Sequence, residues 1–553
     1  MSGRTLLTGG PILTMGARHG DADSLVVEGE RVLAVGTAAE VAGAATGARR
    51  IDLDGATVVP GLIDAHAHME REGLKHTRLA LKDARSIADV LATIAATAAT
   101  TPKGEWIVTL PVGTPPYYFD GPQALAERRM PDRFELDRAA PDNPVYIMGA
   151  FGTWSRVPTV ASVNSLALAR SGLLDGGEGR CGGVVFERDG DGRPTGVIFE
   201  ENERPTLEFD LLKDVPRFTW DTRLDALRRS MALYNAVGTT SIYEGHGSYA
   251  LSVGLYQRLW EQGELTVRTS LTVSPSWSGV EEAGRIMRDW LGFARGRGLG
   301  DRWLRVSGVF IGYGGKACTA ALTREALPDT GWAGFVEWHN DLEAYRGLVT
   351  LAAQHDLRVH TVILENLGTV LPIFEDLATR YPIAARRWVM EHVGHLSPED
   401  HARVKRLGIV VTTIPVYSLW KNGDDYDGAP DEGNHVVPHR TLIDAGVPVA
   451  MGTDNIPISL FKCMAVCRTR TERVTGRVIG PKQRISGLEA LRMATVNAAH
   501  LSFEEHEKGR LEPGYLADLA VLSDDPTTMP AEDLEGIGVR ATMVGGRFVH
   551  EAW

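Results

Sequence analysis

Short runs of apolar, mostly β-branched residues alternate with helical stretches through the middle of the chain. This alternation is typical of parallel strands joined by crossover helices, because such strands are buried on both faces. Eight runs are present, which is the number that closes a (β/α)8 barrel of the TIM type. The predicted barrel strands are Thr57–Ala65, Thr239–Tyr243, Val267–Val273, Leu304–Ile311, Arg358–Val362, Trp388–Glu391, Ile409–Thr413 and Val449–Gly452.

The two ends of the chain have a different pattern, in which short strands are separated by turns. Leu6–Val35 contains several such strands, and Ala517–Leu522 and Thr542–Val549 have the same character. We therefore predict an α/β fold in which a small β-sandwich domain, residues 1–57 and 505–553, is built from both termini. The barrel then spans residues 58–504.

The interval between the first and second predicted strands is far longer than a crossover helix requires. It contains the strand-like segment Pro144–Met148 and a hairpin rich in glycine and aspartate at Arg188–Gly192. We interpret residues 102–216 as a large insertion after the first barrel strand. Such an insertion could form a lid or a substrate pocket over the carboxyl ends of the strands.

The composition is that of an ordinary globular protein. The 553 residues carry a formal net charge of −13, which argues against a nucleic-acid partner because phosphate binding needs a basic face. Met1–Gly10 lacks the apolar stretch of a signal peptide, and no apolar run is long enough to span a membrane. The four cysteines match no disulfide framework of a small secreted domain. We expect a cytoplasmic enzyme that acts on a small molecule, without a membrane partner, as a homo-oligomer such as a dimer.

The segment Pro60–His68 carries the strongest chemical signal in the chain. His66 and His68 follow an apolar strand, and residues two apart on an extended segment point to the same side, so both imidazoles can reach one ion. Because all strands of a parallel barrel end at one rim, polar residues at other strand ends converge there. His360, His392 and Asp454 stand at such positions. Imidazole and carboxylate donors suit zinc, with manganese, iron or cobalt as alternatives.

These motifs resemble those of the amidohydrolase superfamily, and specifically its YtcJ-like branch, amidohydrolase family 3, whose best-known activity is N-substituted formamide deformylation. The resemblance implies that His66 and His68 bind the first metal, and that Asp454 is a ligand and the general base. It also implies that His360 and His392 bind a metal or orient the reactive water and the substrate oxygen. The similar segments cover nearly the whole chain and include Pro60–His68, Glu391–Asp400, Gly452–Asp454, Ala494–Asn497 and Lys508–Leu519.

One departure from the family matters for the number of ions. Where many members carry a carboxylated lysine on the fourth strand to bridge two metals, this chain has Phe310. Glu244, at the end of the second strand, could donate an oxygen to one ion or bridge two, while Lys316 and Cys318 in the following loop are weaker substitutes. We therefore expect one divalent ion rather than two.

The expected reaction is hydrolysis of a C–N bond in an amide, an N-substituted formamide or a cyclic amide. Metal-bound hydroxide would attack, with Asp454 as general base and His392 stabilising the oxyanion. Aromatic residues after several strands predict a substrate pocket for a flat or apolar group. Candidate substrate-binding residues are Trp154, Trp277, Trp332, Tyr417 and His246.

Three other functions are compatible with the same residues. The first is an aminohydrolase (deaminase) of an N-heterocycle, for which Glu365 could donate a proton. The second is a metal-dependent decarboxylase, and the third is a regulatory or binding protein on the same scaffold. Release of ammonia would indicate the first and release of CO2 the second. A protein that contains no metal and gains nothing from added zinc or manganese would indicate the third.

Overall fold

The structure is a computed structural model, and its described residues fall into two compact units. The first unit comprises Met1–Met69, Arg228–Gly314 and Asn340–Trp553, and the second comprises Glu70–Leu227 and Gly315–His339. No helix in the described part of the chain is long and apolar enough to cross a membrane. The residues described are 3–16, 20–114, 118, 121–150, 155–326, 338–363, 366–426 and 434–553.

Three sheets contain the strands of the described residues. In chain order the strands are β1 (Arg4–Ile12), β2 (Ala22–Glu28), β3 (Arg31–Gly36), β4 (Arg49–Asp52), β5 (Thr57–Pro60), β6 (Leu62–Ala67), β7 (Leu79–Leu81), β8 (Ile107–Val112), β9 (Val145–Ile147), β10 (Thr159–Val163), β11 (Val184–Arg188), β12 (Pro194–Glu200), β13 (Thr239–Ser248), β14 (Arg268–Val273), β15 (Leu299–Gly300), β16 (Leu304–Phe310), β17 (Val359–Val362), β18 (Val389–Glu391), β19 (Val410–Thr413), β20 (Val449–Met451), β21 (Leu519–Leu522), β22 (Val539–Val544) and β23 (Arg547–Glu551).

The helices connect these strands, and several begin at a residue whose side chain caps the helix. Ser397, for example, accepts the backbone N–H of Asp400 directly before a proline at the first helical position. The α-helices are α1 (Ala38–Val41), α2 (Met69–Leu74), α3 (Ile87–Ala98), α4 (Arg133–Ala139), α5 (Ser165–Arg170), α6 (Trp220–Ala236), α7 (Ala250–Glu261), α8 (Val280–Asp289), α9 (Ala317–Ala326), α10 (Leu342–Gln354), α11 (Leu367–Ala378), α12 (Ile383–Arg386), α13 (Pro398–Arg406), α14 (His439–Asp444), α15 (Leu460–Thr469), α16 (Gly487–Met493) and α17 (Val496–Leu501).

Eight parallel strands of the first unit form the barrel. Their order is β6, β13, β14, β16, β17, β18, β19 and β20, so neighbours in the sheet follow one another along the chain. Strands such as β19 are buried at every position, as the continuous apolar runs predict. The predicted α/β fold class and the (β/α)8 barrel are confirmed.

Side-chain hydrogen bonds join the first and last barrel strands where the candidate ligands begin. Asp64 of β6 accepts hydrogen bonds from the Thr453 hydroxyl at 2.5 Å and from the Thr453 backbone N–H at 3.0 Å. Asn455 accepts the backbone N–H of His68 at 2.7 Å and donates to the carbonyl of His68 at 3.0 Å. Burial raises the pKa of Asp64 to about 7. These bonds fix the two strand ends relative to each other.

The first predicted barrel strand, Thr57–Ala65, is two strands in the structure. β5 pairs antiparallel with β21 in the terminal sheet, whereas β6 pairs parallel with β13 in the barrel. The chain passes from one sheet to the other at Gly61, whose N–H donates to the Asp518 carbonyl at 2.9 Å. The predicted single strand was wrong because the apolar run continues through both sheets without interruption.

Both termini build the small β domain of the first unit, as predicted. Its sheet has the order β23, β22, β21, β5, β1, β2 and β3, with β4 added beside β1. Buried side chains from both ends, including Leu7, Leu25, Leu519 and Met543, form one hydrophobic core. Arg268 of barrel strand β14 forms a buried ion pair with Asp518 at 2.7 Å, just before β21.

The second unit has its own six-stranded sheet and its own core. The strand order is β11, β12, β10, β9, β8 and β7, and Val145 and Ile147 of β9 share a hydrophobic core with Ile94 of α3. The predicted insertion, residues 102–216, lies within this unit, which begins earlier, at Glu70, and also includes Gly315–His339. The domain boundaries given above and the role as a lid stay predictions.

A disulfide between Cys181 and Cys318 connects the two chain segments of the second unit. Cys318 was considered as a metal ligand, but its sulfur is bonded to Cys181 and offers no thiolate, so that alternative was wrong. Cys463 and Cys467 are buried free thiols. Disulfides persist mainly in oxidising compartments, so the cytoplasmic location stays a prediction.

Loss of this disulfide should destabilise the second unit. The bond joins residues 137 positions apart, and a cross-link of such a long loop restricts the unfolded chain strongly. We expect Cys181→Ser together with Cys318→Ser to lower the free energy of unfolding by about 2–5 kcal/mol. Urea unfolding with and without a reductant measures this, and the double variant is its own control, because a reductant should not change its stability. Equal stability of the double variant and the wild type would show that the bond does not form.

Candidate metal centre

The carboxyl end of β6 brings two imidazoles into the barrel interior. His66 is the fifth residue of β6 and His68 follows the strand, and both side chains are buried. The Nε2 atom of His66 lies 3.2 Å from Nε2 of His392, and Nε2 of His68 lies 3.1 Å from Oδ1 of Asp454. Three strand ends, those of β6, β18 and β20, therefore meet at one point, as the sequence predicted.

The backbone at this point adopts the left-handed conformation that non-glycine residues seldom use. His246, His392, Asp454 and Asn455 have φ angles of 56°, 54°, 51° and 60°. Such conformations cost about 1–3 kcal/mol each and cluster at functional sites, where the surrounding structure holds them. Three of these residues, His246 in the last part of β13, His392 after β18 and Asp454 after β20, carry donor side chains of the centre.

Five side chains supply donor atoms to this centre. His66, His68 and His246 form one group, and His66, His392 and Asp454 form a second; within each group the donor atoms lie within 4.8 Å of one another. A tetrahedral ion with bonds of about 2.0–2.1 Å to nitrogen would have ligands roughly 3.3 Å apart. The 3.1 Å and 3.2 Å separations within the centre match that spacing.

The protonation states of the imidazoles also suit a cation. Burial lowers the pKa of His66 and of His246 well below the ordinary value, and the neighbouring histidines lower each pKa further. Both rings are therefore neutral at physiological pH, which is the state that binds a metal. A divalent ion fits this donor set in charge, in chemistry and in spacing.

Two buried carboxylates lie behind the histidines. Glu391 accepts a hydrogen bond from Nδ1 of His360 at 2.8 Å, and its other oxygen lies 3.6 Å from Nδ1 of His66. Burial raises the pKa of Glu391 to about 8. Glu244 lies 3.6 Å from Nδ1 of His68. A carboxylate on Nδ1 orients an imidazole so that Nε2 faces the metal.

We expect Glu391→Gln to weaken metal binding without removing it. The amide keeps the volume but replaces one carboxyl oxygen with an NH2 group, which cannot accept a hydrogen bond from an imidazole Nδ1. Loss of such a supporting carboxylate typically lowers metal affinity about 10- to 100-fold. Competition with a chromophoric chelator measures the affinity, and Glu399→Gln, which changes an exposed glutamate on α13, is the matched control. An unchanged affinity in Glu391→Gln would refute the supporting role.

Not every predicted ligand is part of the centre. Oε2 of Glu244 accepts hydrogen bonds from the backbone N–H of Met69 at 3.1 Å and from the hydroxyl of Tyr256 at 2.7 Å. Glu244 therefore supports His68 and is not one of the donors. His360 belongs to neither donor group of the described residues, and its ring stacks on Tyr243 with centroids 4.7 Å apart. Lys316 is exposed.

The predicted substrate residues differ in where they lie. Tyr417 is half-buried after β19. Its ring and the ring of His392 meet edge to face, with centroids 5.7 Å apart. Trp277 is half-buried in the segment after β14, and no hydrogen bond or ring contact joins it to a donor among the described residues. Trp154, Trp332 and Glu365 lie outside the described residues.

Two residues of the centre were not predicted in their present roles. His246 was predicted to contact substrate, yet it lies among the metal donors. Glu391 was noted only as part of a motif, yet it contacts two histidines. The sequence Gly245–His246–Gly247 at the end of a strand could have indicated the first, because flanking glycines permit close packing of the backbone.

A barrel with histidines and an aspartate at its strand ends defines a class of metal-dependent hydrolases, and the sequence comparisons agree. The chain belongs to the amidohydrolase family, whose sequence model matches residues 49–550. It is 26% identical over 567 aligned positions to the N-substituted formamide deformylase of Arthrobacter pascens, covering 98% of this chain and 97% of that protein. It is 25% identical to the putative amidohydrolase YtcJ of Bacillus subtilis, covering 91% and 90%.

Solved structures share the fold. An uncharacterised metal-dependent hydrolase from Pyrococcus horikoshii superposes with a TM-score of 0.68 at 19% identity, covering 96% of this chain and 99% of that one. An atrazine chlorohydrolase from Arthrobacter aurescens in complex with zinc superposes with a TM-score of 0.52 at 16% identity, covering 99% and 95%. At sequence identities of 19% and 16%, these superpositions show a shared fold and nothing more.

Proposed function

We propose that this protein is a metal-dependent hydrolase that cleaves a C–N bond in an amide, an N-substituted formamide or a cyclic amide. The observation that carries the proposal is the convergence of His66, His68, His392 and Asp454 at one buried point of the barrel. Membership of the amidohydrolase family and the resemblance to a formamide deformylase over nearly the full length support the bond type.

We assign one divalent ion, most simply zinc, to His66, His68 and Asp454. Both donor groups contain His66, and an imidazole Nε2 has a single lone pair, so the two groups can serve only one ion together. Glu244, the predicted bridging residue, accepts hydrogen bonds from Met69 and Tyr256 instead. When bound, the ion supplies a water molecule of lowered pKa and a positive charge beside the substrate oxygen.

Asp454 and His392 would carry out the proton transfer and the charge stabilisation. The Asp454 carboxylate lies 3.1 Å from Nε2 of His68 and 4.0 Å from Nε2 of His392. From there it can accept the proton of the attacking water and pass it to the leaving nitrogen. His392 would stabilise the oxyanion, and Tyr417 beside it would contact the substrate.

A screen of N-formyl, N-acyl and cyclic amides tests the proposal directly. We expect release of an amine together with an acid, in the presence of zinc, manganese or cobalt. Release of ammonia from an N-heterocycle would instead indicate an aminohydrolase, and release of CO2 a decarboxylase. Absence of metal binding and of turnover would indicate a binding protein. The predicted dimer can be checked by light scattering on the same samples.

A further inference from the structure

We propose that His246 is the third imidazole ligand of the ion and takes the place predicted for His360, an inference that rests on the proposed metal-dependent function. The Nε2 atom of His246 lies 3.1 Å from Nε2 of His392, and its ring centroid is 4.8 Å from that of His66 and 5.2 Å from that of His68. His246, His66 and His68 are one of the two donor groups of the centre.

The last residues of β13, which carry His246, are shaped to bring it to the ion. A Cβ atom on Gly245 would lie 2.4 Å from the ring of His66, and one on Gly247, where φ is +76°, would lie 2.6 Å from Cβ of Phe310. Only glycine fits at these two positions without displacing a neighbour. His246 itself has a φ of 56°, which turns its side chain back over the end of β13.

Two neighbours hold the imidazole in this position. The Glu391 carboxyl group lies beside the backbone N–H of His246 and 3.6 Å from Nδ1 of His66. The ring of Phe310 packs beside the ring of His246, with centroids 5.9 Å apart and planes 31° apart. Phe310 of β16 therefore supports the proposed ligand His246 of β13.

His360 has a different set of contacts. Its Nδ1 atom bonds to Glu391 at 2.8 Å and its ring stacks on Tyr243. We assign it a positioning role: it orients Glu391, which in turn contacts His66 and the backbone of His246. Three imidazoles and the Asp454 carboxylate would then surround the ion, and a water molecule would take a fifth position, an expansion that zinc allows beyond its usual four ligands.

The test compares His246→Ala with His360→Ala in metal-loaded protein. The readouts are zinc affinity from chelator competition, zinc content per chain and the visible absorption spectrum of the Co²⁺-substituted protein, which reports the number and type of ligands. We expect His246→Ala to lose more than about 100-fold in affinity and to change the cobalt spectrum. We expect His360→Ala to lose about 10-fold, with a spectrum close to that of the wild type. Added imidazole should restore the spectrum of His246→Ala.

Two outcomes would contradict the proposals. Wild-type affinity and spectrum in His246→Ala, with a large loss in His360→Ala, would overturn the inference and leave the proposed function intact. Wild-type protein that binds no divalent ion would contradict the proposed function itself. Circular dichroism of each metal-free variant separates these outcomes from misfolding, and if His246→Ala fails to fold, His246→Gln with the same readouts replaces it.

Discussion

Asp454→Asn should retain most of its metal and lose about 10²- to 10⁴-fold in kcat, the range that a general acid or base contributes. An asparagine keeps the shape and one oxygen donor, so the histidines still hold the ion, but a neutral amide cannot accept the proton of the attacking water. The measurement is kcat with an amide substrate from the screen, together with zinc content per chain.

The matched control for this substitution is Asp444→Asn at the end of α14. Asp444 is an exposed carboxylate that pairs with Arg440 on the surface, so its neutralisation should change kcat by less than a factor of two or so, because surface ion pairs contribute little. An unchanged kcat in Asp454→Asn would remove Asp454 as the base. A fall in kcat that follows only the loss of metal would assign it as a ligand alone.

His66→Ala should abolish both metal binding and turnover. His66 is the only residue common to the two donor groups of the described residues, so its loss breaks both. Because loss of an outer carboxylate already costs about 10- to 100-fold in metal affinity, removal of a central ligand should cost more than about 100-fold. Isothermal titration with zinc and a hydrolysis assay at saturating zinc measure the two effects.

His506→Ala is the matched control, because the His506 side chain is 91% exposed. It should bind zinc and turn over substrate as the wild type does. If His66→Ala kept wild-type affinity for zinc, the ion would have to lie elsewhere in the barrel. Circular dichroism of the metal-free proteins shows whether His66→Ala folds.

The barrel and the meeting of its strand ends could be predicted from the sequence because both depend on local patterns. An apolar run followed by a polar residue indicates a buried strand and its end, and parallel strands share a rim. This reasoning placed His66, His68, His392 and Asp454 correctly at one point. The same reasoning joined β5 to β6, because an apolar run does not reveal a change of sheet.

The remaining features depend on conformations and contacts that residue patterns do not contain. The left-handed backbone at His246 and His392 directs their side chains, and no alternation of residues predicts it. Glu244 and His360 lie within β13 and β17 rather than at their ends, and hydrogen bonds with Tyr256 and Glu391 decide where their side chains point. The pairing of Cys181 with Cys318 joins residues of distant segments and follows from the fold alone.

Titration of metal-free protein with zinc, while hydrolysis of an amide substrate is followed, shows whether one catalytic ion lies at the strand ends of the barrel. We expect activity to rise linearly and to reach its plateau at one zinc per chain. A plateau at two ions per chain, or full activity of the metal-free protein, would contradict this expectation.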